Sequence, residues 1–211
     1  MKKRKIYVVG GSNGYANWME GELTGKMMEA DLVLFTGGED VTPSLYNEPA
    51  HPETYSNIHR DLREKAVFEQ AVDLNKHIIG ICRGGQFVCV ASGGKLVQHQ
   101  QNPSFMHDII THDGKTLSIS STHHQAQFPW NMPATLDNFK ILAWTEGISK
   151  FHFDGNGQEI VGNGIECEIV YYPETKALGI QGHPEMMFDP EHPTIIYLRD
   201  LLDKHMKDAI V

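Results

Sequence analysis

The chain has 211 residues, of which 40% are apolar and 21% charged, and a formal net charge of −9. That length allows one sizeable α/β domain with a real core, and the acidic balance argues against a nucleic-acid-binding surface. No run of about 18 apolar residues predicts a membrane span, the N-terminus lacks the pattern of a secretory signal, and three irregularly spaced cysteines do not make a disulfide framework, so a reducing, cytoplasmic location is expected.

In chain order, Ile6–Val9 reads as a first strand that runs into Gly10-Gly11-Ser12-Asn13-Gly14. Residues 15–30 read as helical, interrupted by Gly21 and Gly25. Asp31–Phe35 predicts a second, buried strand ending in Thr36-Gly37-Gly38, and the polar stretch 39–58 predicts a loop. A helix follows at about 59–75, with Leu62, Ala66, Val67, Phe68, Ala71, Val72 and Leu74 as its apolar face. His77–Ile81 is a further buried strand. The helix after it, at about 84–92, packs Phe87, Val88, Val90 and Ala91 and stops at Gly93-Gly94. The second half is richer in strands. Residues 106–120 predict a hairpin around the turn dipeptide Asp113-Gly114. Phe139–Trp144, Ile165–Tyr172 and Ala177–Gln181 are further strands, and 192–207 is an amphipathic closing helix with Ile195, Ile196, Leu198, Leu201, Leu202 and Met206 inward. Strands alternating with helices early in the chain favour a parallel sheet covered on both faces. Chemistry is then expected at the carboxyl ends of the strands.

The turn between Ile81 and the next helix, Cys82-Arg83-Gly84-Gly85, places a cysteine at a helix N-terminus. Unpaired N–H groups and the helix dipole favour thiolate over thiol there. The arrangement is that of a strand–turn–helix nucleophile elbow with sulfur in place of oxygen; the competing reading is a buried structural cysteine. A thiol nucleophile needs a base, and the base needs an orienting group. His-Pro-Glu occurs twice, at 51–53 and 183–185. His51 lies in a polar, proline-bearing stretch and is expected to be a solvated loop residue. His183 follows an apolar strand, and in an extended segment Glu185 projects to the same side, where it can fix the imidazole tautomer. Thr36-Gly37-Gly38 ends a neighbouring strand and, with the N–H of Arg83, can bind an oxyanion; its glycines can also simply make a turn. The adjacent His123 and His124 lack an acidic or cysteine partner at ligand spacing, so no metal site is expected. Cys89 and Cys167 lie in apolar segments and are expected to be buried and inert.

Four blocks carry a family resemblance: FTGGEDVTPSLYNE at 35–48, HRDLREKAVFEQAVDLNKHIIGICRGGQ at 59–86, STHHQAQ at 121–127 and GIQGHPE at 179–185. Together they make the chain resemble the class I glutamine amidotransferase superfamily, most nearly its γ-glutamyl-γ-aminobutyrate hydrolase group, the peptidase C26 family. The resemblance implies one catalytic domain over 1–211. Its fold would be amidotransferase-like (flavodoxin-like): a mostly parallel sheet with helices on both faces and a smaller antiparallel region in the second half. It implies a Cys82, His183, Glu185 triad, an oxyanion site at the Gly37-Gly38 turn and the backbone of Arg83, and a glutamyl pocket lined by Gln86 and His123. No cofactor is implied. The implied reaction is hydrolysis of a γ-glutamyl amide, or of glutamine, through a γ-glutamyl thioester. The alternatives are a glutaminase subunit that passes ammonia to a separate synthetase and a non-catalytic binding protein on the same fold. Relative to the family, the segment between the first strand and Asp31 is short by about a strand and a helix. Tyr15, Trp18 and Tyr46 either shape the leaving-amine subsite or pack in the core.

Overall fold

The computed structural model describes residues 3–101, 105–133, 138–160, 164–208 and 210. Nine strands form its main sheet: β1 (Arg4–Val9), β2 (Gly21–Leu23), β3 (Leu32–Phe35), β4 (His77–Ile81), β5 (Met106–Thr111), β6 (Thr116–Ser120), β7 (Lys140–Glu146), β8 (Ile165–Tyr172) and β9 (Ala177–Ile180). They lie in the order β2-β1-β3-β4-β9-β8-β7-β5-β6. From β2 to β9 every neighbouring pair is parallel, and from β9 to β6 every pair is antiparallel. The antiparallel region expected in the second half is therefore the other half of one mixed sheet.

The central strands explain their own sequences. LVLF in β3 and ALGI in β9 are buried at every position, as strands covered on both faces must be. Alternate residues divide between two cores. Leu34, Ile79 and Ile180 pack on one face with Ile195, Leu198, Leu201 and Leu202 of helix α3 (Pro193–His205). Val33, Phe35 and Ile78 pack on the other with Phe68 and Ala71 of α1 (Ile58–Asp73) and Phe87 and Val88 of α2 (Arg83–Ala91). The hairpin β5–β6 turns at Asp113-Gly114 as the dipeptide predicts, with Gly114 at φ +81°. Among the described residues, no helix is long and apolar enough to cross a membrane.

Three local expectations change. Residues 15–30 do not form an α-helix. Short 3₁₀ turns at Asn13–Ala16 and Met27–Glu29 flank β2, which extends the parallel sheet beyond β1. Gly21 and Gly25 within the segment weaken a continuous helix, and the chain adopts short turns about an edge strand instead. The buried side of α1 is also not the one its apolar residues suggest. Leu62 and Ala66 are exposed, whereas Asp61 and Glu64 are buried beside Phe68 and Ala71, because both carboxylates pair with a buried arginine on α2. In α3, Ile196 faces solvent, and Thr194, Tyr197 and His205 join the buried face.

Candidate active site

Strands β3, β4 and β9 are neighbours, so the residues leaving their carboxyl ends meet above the sheet. Thr36-Gly37-Gly38 leaves β3, Cys82 leaves β4, and His183 follows β9.

Cys82 is the N-cap of α2 and has φ 52° and ψ −115°. That conformation is unfavourable for a residue with a β-carbon and costs about 1–3 kcal/mol. The turn is held by close backbone contact. A β-carbon on Gly80 would lie 2.1 Å from the Gly84 carbonyl oxygen, and one on Gly84 would lie 2.1 Å from that of Phe35. The glycines beside the cysteine are thus needed for strand, elbow and helix to stack. The N–H of Arg83 is the first in α2 and has no partner within the helix. The Arg83 side chain turns away from the cleft, is buried, and pairs with Asp61 and Glu64 of α1.

His183 sits 4% exposed, with its backbone N–H donating to the Ser120 carbonyl at 2.8 Å. Its Nδ1 meets Glu185 Oε1 at 2.6 Å and its Nε2 meets Thr122 Oγ1 at 2.9 Å. Glu185 reaches the ring through a 3₁₀ turn, Pro184–Met186, rather than along an extended segment. Burial opposes a charge on His183, but hydrogen bonds to Cys82 and Glu185 and their charges overcome it and raise the imidazole to about 10. Thr122 thus holds the Nε2 side of the ring and Glu185 the Nδ1 side.

Cys82, Arg83, Thr122 and His183 line a cleft of about 290 Å³, together with Tyr15, Gly38, Asp40, Gln86, His123, His124, Gln125 and Met186. Gln86 donates from Nε2 to the Gln125 carbonyl at 2.9 Å, and His123 Nδ1 lies 3.0 Å from the same oxygen. Burial, with His107 adding to it, pushes His123 down to about 3, so it enters the cleft wall as a neutral ring. The two adjacent histidines diverge: His124 pairs with Asp40 at 3.2 Å while His123 faces the interior. Among the described residues no cluster of His, Cys, Asp or Glu could hold a metal ion.

The remaining candidates separate. Tyr15 borders the cleft, its ring centroid 6.4 Å from that of His183. Trp18 and Tyr46 are buried in opposite cores and do not reach it. His51 is not a solvated loop residue. Its N–H donates to Gln98 Oε1 at 2.9 Å and its ring stacks on His99 at 4.8 Å between centroids, because residues 39–58 pack down over the strand pair Lys95–Val97 and Ala126–Phe128 and its surroundings. Cys89 and Cys167 are fully buried; burial pushes Cys89 up to about 12 and raises Cys167 as well. Sequence reasoning missed Thr122, Asp40 and Met186. Thr122 and Asp40 lie inside blocks already singled out, but a threonine or a loop aspartate carries no chemical signature until its neighbours are known.

The family model of peptidase C26 matches residues 18–145. Protein NtpR of Enterococcus hirae is 30% identical over 183 residues, covering 75% of this chain and 68% of that one. YvdE of Lactococcus lactis subsp. lactis, named a glutamine amidotransferase-like protein, is 31% identical over 166 residues, 77% of this chain and 69% of that one. In fold, the chain is similar to the glutaminase domain of Trypanosoma brucei CTPS, solved with bound acivicin, with a TM-score of 0.60 and 13% identity over 99% of this chain and 95% of that domain. With more than half of its length matched by one family model, and with the mixed sheet of those structures, this chain belongs to the peptidase C26 family of the class I glutamine amidotransferase superfamily.

Proposed function

We propose that the protein hydrolyses γ-glutamyl amides through a thioester on Cys82. The observation that carries this reading is His183, held at Nδ1 by Glu185 and raised toward the imidazolium by that carboxylate and by the Cys82 thiol. The thiolate attacks the γ-carbonyl carbon and a C–S bond forms. The N–H groups of Gly38 and Arg83 donate to the carbonyl oxygen as negative charge develops on it. When the tetrahedral intermediate collapses the C–N bond breaks, and His183 gives its proton to the departing amine. His183 then takes a proton from water as the water oxygen attacks the thioester, and glutamate leaves as Cys82 is restored. Glu185 holds the ring in one tautomer and stabilises its cation throughout. Gln86, His123 and Gln125, buried in the cleft wall, receive the glutamyl group. Tyr15, Thr122 and Met186 surround His183 and so border the leaving amine.

A panel of γ-glutamyl amines and glutamine, followed by mass spectrometry, tests the reading. Amine release by the wild type that is lost in Cys82→Ala supports it, and no turnover of any member by pure protein contradicts it. The likeness in fold to a glutaminase domain favours a second reading, a subunit that supplies ammonia to a separate synthetase. That reading expects glutamine as the preferred substrate and a large rise in rate with the partner present.

A further inference from the structure

The N-terminal turn of α1 carries an ionic network that reaches both proposed oxyanion donors from behind. Arg60 donates from Nε to Glu64 Oε1 at 2.8 Å, from Nη1 to Glu39 Oε2 at 2.8 Å, and from Nη2 to the carbonyls of Gly37 at 2.9 Å and Thr36 at 3.4 Å. The other oxygen of Glu64 accepts from Arg83 Nη1, and Arg83 Nη2 bonds Asp61. Asp61 in turn accepts the N–H of Thr42 at 2.8 Å. One carboxylate, Glu64, therefore joins the arginine that grips the β3 turn to the arginine that follows the cysteine.

Peptide geometry gives the network its meaning. A planar trans peptide points its C=O and its N–H in opposite directions. The peptide whose C=O Arg60 holds is the one whose N–H belongs to Gly38. With that oxygen turned toward Arg60, the Gly38 N–H is turned away, on the side where Gly38 borders the cleft. Contact is tight: a β-carbon on Gly38, at φ +142°, would fall 2.2 Å from Arg60 Nη1. The second donor, the Arg83 N–H, is tied to the same carboxylate through its own side chain.

We propose that Arg60 and Glu64 are positioning residues that fix the spacing and aim of the Gly38 and Arg83 N–H groups. Neither touches the substrate. Alignment of these donors matters where charge builds on the carbonyl oxygen and not where the sulfur reacts with a simple alkyl halide. The two reactions therefore separate the role from a general loss of structure.

The inference rests on the acyl-transfer reading, which wild-type turnover and its loss in Cys82→Ala establish first. On that working enzyme, kcat and KM for one γ-glutamyl amide are measured in Arg60→Ala, beside the rate at which iodoacetamide alkylates Cys82. Losing one oxyanion donor outright costs about 100- to 1000-fold in kcat, so misaiming one is expected to cost about 10- to 100-fold. KM and alkylation rate should stay near wild type, and added guanidinium ion, filling the space left by the side chain, should restore part of kcat. Arg60→Lys, measured in the same way, should fall between the two and decides the matter if Arg60→Ala does not fold. A kcat within about twofold of wild type, or a fall in kcat matched by the alkylation rate, overturns the inference and leaves the proposed chemistry standing.

Discussion

Cys82 holds a conformation that L-residues avoid, and the strain is retained because β4, α2 and the end of β3 leave the chain no other course. The same turn sets the sulfur beside His183 and leaves the first N–H of α2 without a partner in the helix, so the proposed nucleophile and the strain share one turn. The three cysteines differ accordingly. Under limiting iodoacetamide, peptide mapping should find Cys82 modified first, with Cys89 and Cys167 labelled only on unfolding; early labelling of either contradicts the assignment. The positions of Cys82, His183 and Glu185 were legible from the sequence because each follows or ends an apolar strand with a distinctive neighbour. The route by which Glu185 reaches the ring was not, since Pro184 begins a 3₁₀ turn where an extended segment was expected. The side chain of Arg83 was not legible either. Nothing local says that a cation will be buried until the two carboxylates that receive it are placed by another helix.

At the scale of elements, α1 shows where periodicity misleads. Its apolar residues predict one face, but burying Asp61 and Glu64 against Arg83 rotates the helix so that Leu62 is left in solvent. Pairing of buried charges overrides the apolar stripe because an unpaired buried ion is far costlier than one exposed leucine. The segment before β3 was not legible as a structure, since a three-residue edge strand has almost no sequence pattern of its own. The elbow itself supplies a test of packing. Gly84→Ala places a methyl against the Phe35 carbonyl. It should lower stability by about 3 kcal/mol, read as a fall in the urea midpoint, and reduce turnover as α2 moves off β3. Unchanged stability and activity would show that the close approach at Gly84 is not required.

Across the whole molecule, ionisation should limit stability on both sides of neutrality. His123 and His205 are held at about 3, chiefly by burial, against about 6.5 when unfolded. The stability from keeping them neutral is fully present above about pH 6.5 and is lost as pH falls toward their folded values. His183, raised to about 10, has the opposite sign: its contribution is complete below about pH 6.5 and is lost as pH rises through about 10. In His205→Gln, unfolding free energy measured between about pH 6 and pH 4 should fall less steeply than in wild type, by about 1.4 kcal/mol per pH unit. An identical slope would mean that His205 is not held neutral by the fold. The parallel half of the sheet could be read from alternating strands and helices. Its continuation into an antiparallel half could not, because pairing between distant strands leaves no local signal. On the proposed mechanism Cys82 carries a γ-glutamyl group during turnover, and acid-quenched protein, digested and mapped by mass spectrometry, reports whether it does. The expected result is the mass of one γ-glutamyl group on the peptide containing Cys82, absent in Cys82→Ala; turnover with no such adduct, or with the adduct on Cys89 or Cys167, would contradict it.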